Sequence, residues 1–135
     1  MTAVLIDSNV LLDLMTEDKD WFAWSAAAVT DAADRARLVI NAIVYAEVSV
    51  RYSRIEDLEA ALPKALIERE AIPYEAAFLA GKAFLAHRRR GGTARSPLPD
   101  FLIGAHAAIA GYRLLTRDAA RYRTYFPGLR LISPT

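Results

Sequence analysis

Residues 3–14 read AVLIDSNVLLDL, and the first half of that stretch decides the fold. Ala3 to Ile6 is apolar without alternation, the pattern of a strand buried on both faces, as in a parallel sheet covered by helices. The run stops at an acid, Asp7. Ser8 or Asn9 is then placed to cap a short helix over Val10 to Met15. A strand that ends in a carboxylate and turns at once into a helix puts that carboxylate at the carboxyl edge of the sheet, where such folds bind ligands.

The rest of the chain repeats the alternation. An acidic turn, Thr16 to Asp20, precedes an alanine-rich helix over Trp21 to Ala36. Leu38 to Ile40 reads as a second buried strand, and Asn41 caps a helix from Ala42 to about Ser53. A further helix is expected over Ile55 to Ile67, kinked or ended by Pro63, with a weak third strand near Ala71 and Ile72. Tyr74 to about Arg90 is helical, its apolar positions Ala77, Phe78, Gly81, Phe84 and Leu85 following helical spacing. Gly91, Gly92, Thr93, Ser96, Pro97 and Pro99 make a loop. A helix from Asp100 to Ala110, stopped by Gly111, leads to a fourth strand at Arg113 to Thr116. Asp118 caps a helix reaching Tyr125, and Leu129 to Ile132 is the last strand. The expectation is one three-layer α/β/α domain spanning 1–135, with a central, mostly parallel sheet.

That topology gathers four acids distant in sequence. Asp7 follows the first strand and Asp118 the fourth. Glu47 lies about 9 Å up the helix capped by Asn41, at ~1.5 Å per residue. Asp100 starts the helix that runs back into the fourth strand, so it begins at the same edge. Two carboxylates ~4 Å apart repel by about 4 kcal/mol at an effective dielectric of 20, so a cluster of them calls for raised pKa values or a cation. Oxygen-only ligands select Mg²⁺ or Mn²⁺ over zinc, and such an ion activates water and stabilises charge building on a phosphate. Taken singly the acids say less, because Asp7 and Asp118 also suit helix caps and Asp100 suits a helix N-terminus. Glu47 stands among the apolar Ile43, Val44, Tyr45, Val48 and Val50, which is harder to explain by solvation.

Four stretches carry a resemblance: LIDSNVLLDL (5–14), NAIVYAEV (41–48), PDFLIGAHA (99–107) and LLTRDAARY (114–122). In order and spacing they resemble the acidic motifs of the PIN-domain family, nearest to the VapC-like ribonuclease toxins of bacterial toxin–antitoxin pairs. The resemblance implies that Asp7, Glu47, Asp100 and Asp118 hold Mg²⁺ or Mn²⁺, with Ser8, Asn9 and Thr116 as supporting polar neighbours. It also implies a phosphodiesterase that positions water for in-line attack on RNA, leaving a 5′-phosphate and a 3′-hydroxyl. A cognate antitoxin and a homodimer are the implied protein partners. In those toxins the first two helices clasp the antitoxin, and the rings of Trp21, Phe22 and Trp24 suit an amphipathic helix from such a partner. Residues 21 and 22 cannot both face one core, so at least one ring is expected at a groove or at the surface.

The charge distribution adds an expected substrate path. Residues 1–70 hold 13 acids and 7 Lys or Arg, whereas residues 71–135 hold 3 acids and 10 Lys or Arg. A basic second half suits a polyanion. The run His87 to Arg95, with Arg88, Arg89, Arg90 and Arg95, leads into Asp100, and Arg117 and Arg121 flank the fourth acid; these are the expected phosphate-binding cations. Arginines at a helix C-terminus equally well complement the macrodipole. His106, six residues from Asp100, is assigned to packing or surface, Gly104 to a close approach of its helix to the sheet, and Asp13, Glu17, Asp18 and Asp20 to solvated helix and turn positions.

Other classes are weighed against this one. A non-catalytic binding module would use the same rim without cleaving RNA. A phosphatase-like α/β domain also carries an acid after its first strand, but Asp7-Ser8-Asn9 lacks the second Asp two residues on. No glycine-rich phosphate loop or dinucleotide fingerprint is present. The chain has no cysteine, which excludes disulfides and thiolate metal sites and fits a cytoplasmic protein. Asp7 interrupts the N-terminal apolar run, so no secretory signal is expected. No apolar stretch nears the ~20 residues of a membrane span.

Overall fold

A computed structural model describes residues 2–91 and 97–134. Its elements run β1 (Ala3–Ile6), α1 (Ser8–Thr16), α2 (Phe22–Arg35), β2 (Arg37–Ile40), α3 (Ala42–Ser49), α4 (Ile55–Ala61) and β3 (Ile67–Arg69). They continue with α5 (Tyr74–Arg89), α6 (Leu98–Ala110), β4 (Arg113–Leu115), α7 (Ala119–Tyr125) and β5 (Leu131–Ile132). All strand pairs are parallel, in the order β3-β2-β1-β4-β5. The three-layer α/β/α architecture expected from the sequence is the one observed.

The chain grows outward from β1 in one direction through β2 and β3, then returns to the other side of β1 as β4 and β5. The strand order therefore reverses between β1 and β4, and a crevice opens beyond their carboxyl ends. The Asp7 amide donates to the Leu115 carbonyl at 2.9 Å, closing the two strands at that point. The central strands are buried residue by residue, as their unbroken apolar runs require.

Several local expectations are corrected. Asp7 itself, and neither Ser8 nor Asn9, is the cap of α1: its Oδ1 accepts from the Ser8 amide at 2.8 Å, and the helix begins two residues earlier than expected. α3 stops at Ser49, whose hydroxyl donates to the Tyr45 carbonyl and competes with continued helix. The helix expected to reach Ile67 ends at Ala61, because Pro63 disfavours helical backbone at Leu62. That releases Ile67–Arg69 to form β3, four residues before the expected strand at Ala71 and Ile72. An edge strand needs only one buried face: Ile67 is buried, while Glu68 pairs with Arg37 of β2 at 2.7 Å. A search for an unbroken apolar run passes over such a strand.

α5 buries a different face from the apolar stripe its spacing picks out. Ala76, Ala80 and Ala83 are inward, whereas Phe78 is 68% exposed and Tyr74 91%. An alanine face lets α5 lie close along α6, which is the most deeply buried helix of the fold. His106 on α6 is fully buried, in keeping with a packing role. Asn41 Oδ1 accepts from the Ile43 and Val44 amides, so its Nδ2 donates to His106 Nδ1 at 3.1 Å, and His106 Nε2–H is left to donate to Glu70 at 3.0 Å. The cap of α3 is thereby fixed from α6. Gly104 gives close approach to α7 and not to the sheet. A Cβ there would stand 2.8 Å from the Phe126 ring and 2.9 Å from the Tyr122 ring.

Candidate functional site

Asp7 is the centre of the rim. It is 3% exposed, and both oxygens are engaged: Oδ1 accepts from the Ser8 amide, while Oδ2 accepts from Thr116 Oγ1 at 2.8 Å and Tyr122 OH at 2.9 Å. Thr116 follows β4 directly and also accepts from the amide of Asp118 at 3.0 Å and from Asn9 Nδ2 at 3.4 Å. Asn9 Oδ1 in turn accepts from the Arg117 amide. Ser8, Asn9 and Thr116 therefore knit the turn after β1 to the turn after β4. Ser8 does a second thing, since its hydroxyl donates to Glu47 Oε1 at 2.8 Å and holds the α3 acid toward the crevice.

The other two acids stand at the outer edge. Arg121 of α7 binds Asp100 Oδ2 at 2.5 Å and approaches Asp118 Oδ2 at 3.4 Å. Asp118 precedes α7, but its side chain makes no capping bond, contrary to the cap expected of it. Thus Asp7, Glu47 and Asp100 share one electrostatic neighbourhood, and Asp118 joins it through Arg121.

Burial pushes the Asp7 carboxyl above its ordinary value; bonds from Thr116, Tyr122 and Ser8 pull it back, the Asp100 charge adds to the rise, and it remains raised. Glu47 is raised too, by burial and then by the charges of Asp7 and Asp100, against the bond from Ser8 and the charge of Arg121. The phenol of Tyr122 is pushed well above its usual range, by burial first and by the Asp7 charge next, so it stays a hydrogen-bond donor. The crevice holds more negative charge than its surroundings neutralise.

That donor set suits a hard divalent cation in chemistry: carboxylates only, with two of them destabilised as anions. Among the described residues, however, no three Asp, Glu or His side chains converge closely enough to hold one ion as they stand. Their oxygens are turned to Ser8, Thr116, Tyr122 and Arg121. Closing round a cation requires Arg121 to give up Asp100, and Asp7 to share an oxygen already bonded.

The expected phosphate-binding cations divide into three groups. Arg117 is corrected: its Nε and Nη2 bind Asp13 at 2.6 and 2.9 Å, and its guanidinium lies 5.0 Å from the Trp21 ring centre, so it is committed to structure. Arg121 is committed to the acids themselves. Arg88, Arg89 and Arg90 are exposed at the end of α5, with Arg88 and Arg90 lying over the Phe84 and Tyr125 rings. Arg95 lies outside the described residues, as do Gly92, Thr93 and Ser96 of the expected loop. Of the three rings read as a partner surface, Trp21 and Trp24 are half-buried against each other at 6.4 Å, and Phe22 is the exposed one.

Two contributors escaped sequence reasoning. Asp13 is buried, not solvated as Glu17 and Asp20 are, and it accepts from Ser25 Oγ at 2.7 Å besides Arg117. Its signal was an acid between Leu12 and Leu14 inside an apolar run. Tyr122 gave no signal, because nothing in the sequence distinguishes it from Tyr125 three residues on.

A family model described as PIN domain matches residues 4–127. Among solved structures the fold is similar to VapBC2 from Rickettsia felis bound to a promoter DNA fragment, with TM-score 0.73, 18% identity and 98% of each chain covered. It is likewise similar to VapBC-1 from nontypeable Haemophilus influenzae, with TM-score 0.72, 20% identity and 98% of each chain covered. FitAcB from Neisseria gonorrhoeae gives TM-score 0.68, 14% identity and 97% of each chain. A comparison with curated protein sequences gives no significant match.

Proposed function

The chain belongs to the PIN-domain family, and from that premise we propose that it is a metal-dependent endoribonuclease, the toxin of a toxin–antitoxin pair. The observation that carries the reading is the position of Asp7 after β1 and beside β4, buried, with Asp100 near enough to raise its pKa, Glu47 raised in turn by Asp7 and Asp100, and Asp118 joined to Asp100 through Arg121. Asp7, Glu47, Asp100 and Asp118 would hold Mg²⁺ or Mn²⁺, which when bound supplies an activated water and neutralises charge on the phosphate under attack. The chain's own contribution is orientation. Thr116 and Tyr122 fix the Asp7 carboxylate, Ser8 aims Glu47, and the Asn41–His106 contact anchors the start of the helix that carries Glu47. Arg88 and Arg90, exposed beside the crevice-facing end of α6, serve the phosphate chain. Replacing both with Gln should flatten the dependence of log affinity on log salt by about one unit.

An antitoxin is the expected protein partner, in line with solved relatives that are toxin–antitoxin complexes. Phe22 is the ring available to it, beside Trp21 and Trp24, which pack on each other. Among the described residues no helix is long and apolar enough to cross a membrane. An RNA substrate sets the work of the protein in the cytoplasm. The test is cleavage of RNA by the purified chain in excess chelator and after adding back Mg²⁺ or Mn²⁺. Cleavage only with the ion is the expected result, and undiminished cleavage in chelator sinks the mechanism.

A further inference from the structure

We propose that the cavity between α5, α6 and the chain after α7 takes one unstacked base of a single-stranded RNA, a second contact beyond the acid rim; for its ligand the inference rests on the nuclease reading. The far end of α6 carries small residues, Ala107, Ala108 and then Gly111, which leave room beside the helix. There lies a cavity of about 400 Å³, walled by Leu79 of α5, Ala107, Ala108, Tyr112, Tyr125 and Arg130. Its size falls within the range of small-ligand sites, and so does its make-up, apolar and aromatic with arginine as the one charged residue. Ala107 and Ala108 follow Asp100 by seven and eight residues, which is about 10–12 Å along α6.

The chemistry of the walls selects a base. Tyr112 spends its hydroxyl on Glu70, and Tyr125 pairs its own with His87 Nδ1, so what the two offer a ligand is ring surface. Every base has a face that stacks on such a surface, and it is free to do so only where the strand is unpaired. The charges agree. Arg130 makes one long bond, 3.4 Å to the Gly111 carbonyl, and has no ionic partner within 4 Å among the described residues. Arg90 lies 5.7 Å from the Tyr125 ring centre. Among the described residues no acid lines the cavity, so its cations are left for the phosphates on either side of the base. The cavity is also continuous with the rim. Tyr125 follows Arg121 by four residues and shares its side of α7, and its ring packs at 4.8 Å on Phe101, the neighbour of Asp100. A strand laid across Asp100 thus meets Arg90 and Tyr125 on its way to Arg130.

The test reads binding in excess chelator, apart from cleavage. By fluorescence anisotropy the wild-type chain should bind a short labelled single-stranded RNA about tenfold more tightly than an abasic strand of the same length, the worth of one stacked base. Ala108 is exposed, so Ala108→Leu puts aliphatic bulk in the cavity without touching the core. Its melting curve should hold and the abasic strand should bind as before, while most of the preference for RNA is lost. Tyr125→Leu removes the ring and should abolish that preference, whatever it does to the melting temperature. Arg130→Gln should weaken both strands alike and flatten the slope of log affinity against log salt by about 0.7. A wild type that binds both strands equally, an Ala108→Leu or Tyr125→Leu chain that keeps the full preference, or an unchanged slope in Arg130→Gln would overturn the proposal. So would adenosine monophosphate binding as tightly as the RNA, which would give the cavity to a free nucleotide. A chain that shows the preference yet cleaves no RNA with Mg²⁺ or Mn²⁺ sinks the nuclease reading and supports the cavity as a base site.

Discussion

Two arginines four residues apart, Arg117 and Arg121, each bind a carboxylate beside Asp118, and the two contacts do opposite work. Arg117 grips Asp13 with two nitrogens; the acid is 3% exposed on its side chain and is also bonded by Ser25, so α1, α2 and the turn after β4 are locked together. Arg121 is half-exposed and bridges Asp100 and Asp118 across the open rim. The chemistry is the same, but burial differs. A buried pair cannot lose one member without stranding the other, whereas an exposed pair exchanges with solvent or with another cation at little cost. The first contact therefore reads as framework and the second as a placeholder for positive charge at the crevice.

The largest expected effect tests whether the rim is dispensable to the fold. Asp7→Asn keeps shape and most hydrogen bonds but removes the central negative charge, so RNA cleavage should drop about a thousandfold while the melting temperature holds or rises. Activity in single-turnover assays and melting curves on the same preparation decide it. A variant that unfolds instead would make the rim framework, and the contrast with Asp13 would vanish. Next comes Asp13→Ala, which strands Arg117 under the Trp21 ring and should cost about 3 kcal/mol, measured by urea denaturation. Stability unchanged within experimental scatter would show that burial does not distinguish the two arginines. Arg121→Gln should change stability by less than about 1 kcal/mol yet tighten divalent-ion binding, because a competing cation leaves Asp100; calorimetric titration with Mn²⁺ reads the sign. Weaker Mn²⁺ binding would mean that Arg121 organises the acids instead of occupying their site.

The sequence made the framework of β1, β2, β4 and the long helices legible because buried strands and amphipathic or alanine-rich helices leave periodic signals. It also marked all four acids, since Asp7, Asp100 and Asp118 stand where elements end or begin at one edge of a parallel sheet and Glu47 is a lone acid in an apolar helix that starts there. What it hid were contacts decided by packing. Whether an arginine at 117 or at 121 is free depends on which acid tertiary structure brings to it, and Asp13 lies 104 residues away from its partner in sequence. β3 was displaced because an edge strand with one buried residue has no apolar run to show. α5 presented two apolar faces, and spacing alone could not say which one α6 covers.

The smallest expected effect is a slope, and it sharpens the comparison by isolating the charge on the rim. A carboxylate whose pKa is raised by folding costs stability once ionised: the cost is absent below the ordinary carboxylate value and fully present above the raised one. Asp7 and Glu47 are both raised, chiefly by burial. In excess chelator the wild-type chain should therefore be less stable than Asp7→Asn at neutral pH, and the gap should close as the pH falls toward the ordinary carboxylate range. Adding Mg²⁺ should invert the wild-type trend, because the ion binds deprotonated carboxylates and stabilises the fold more as pH rises. Melting temperatures of the two proteins across a pH series, with and without the ion, give all four slopes. A gap between wild type and Asp7→Asn that widens on acidification would mean that ionised Asp7 holds the fold together, and the rim would join the framework.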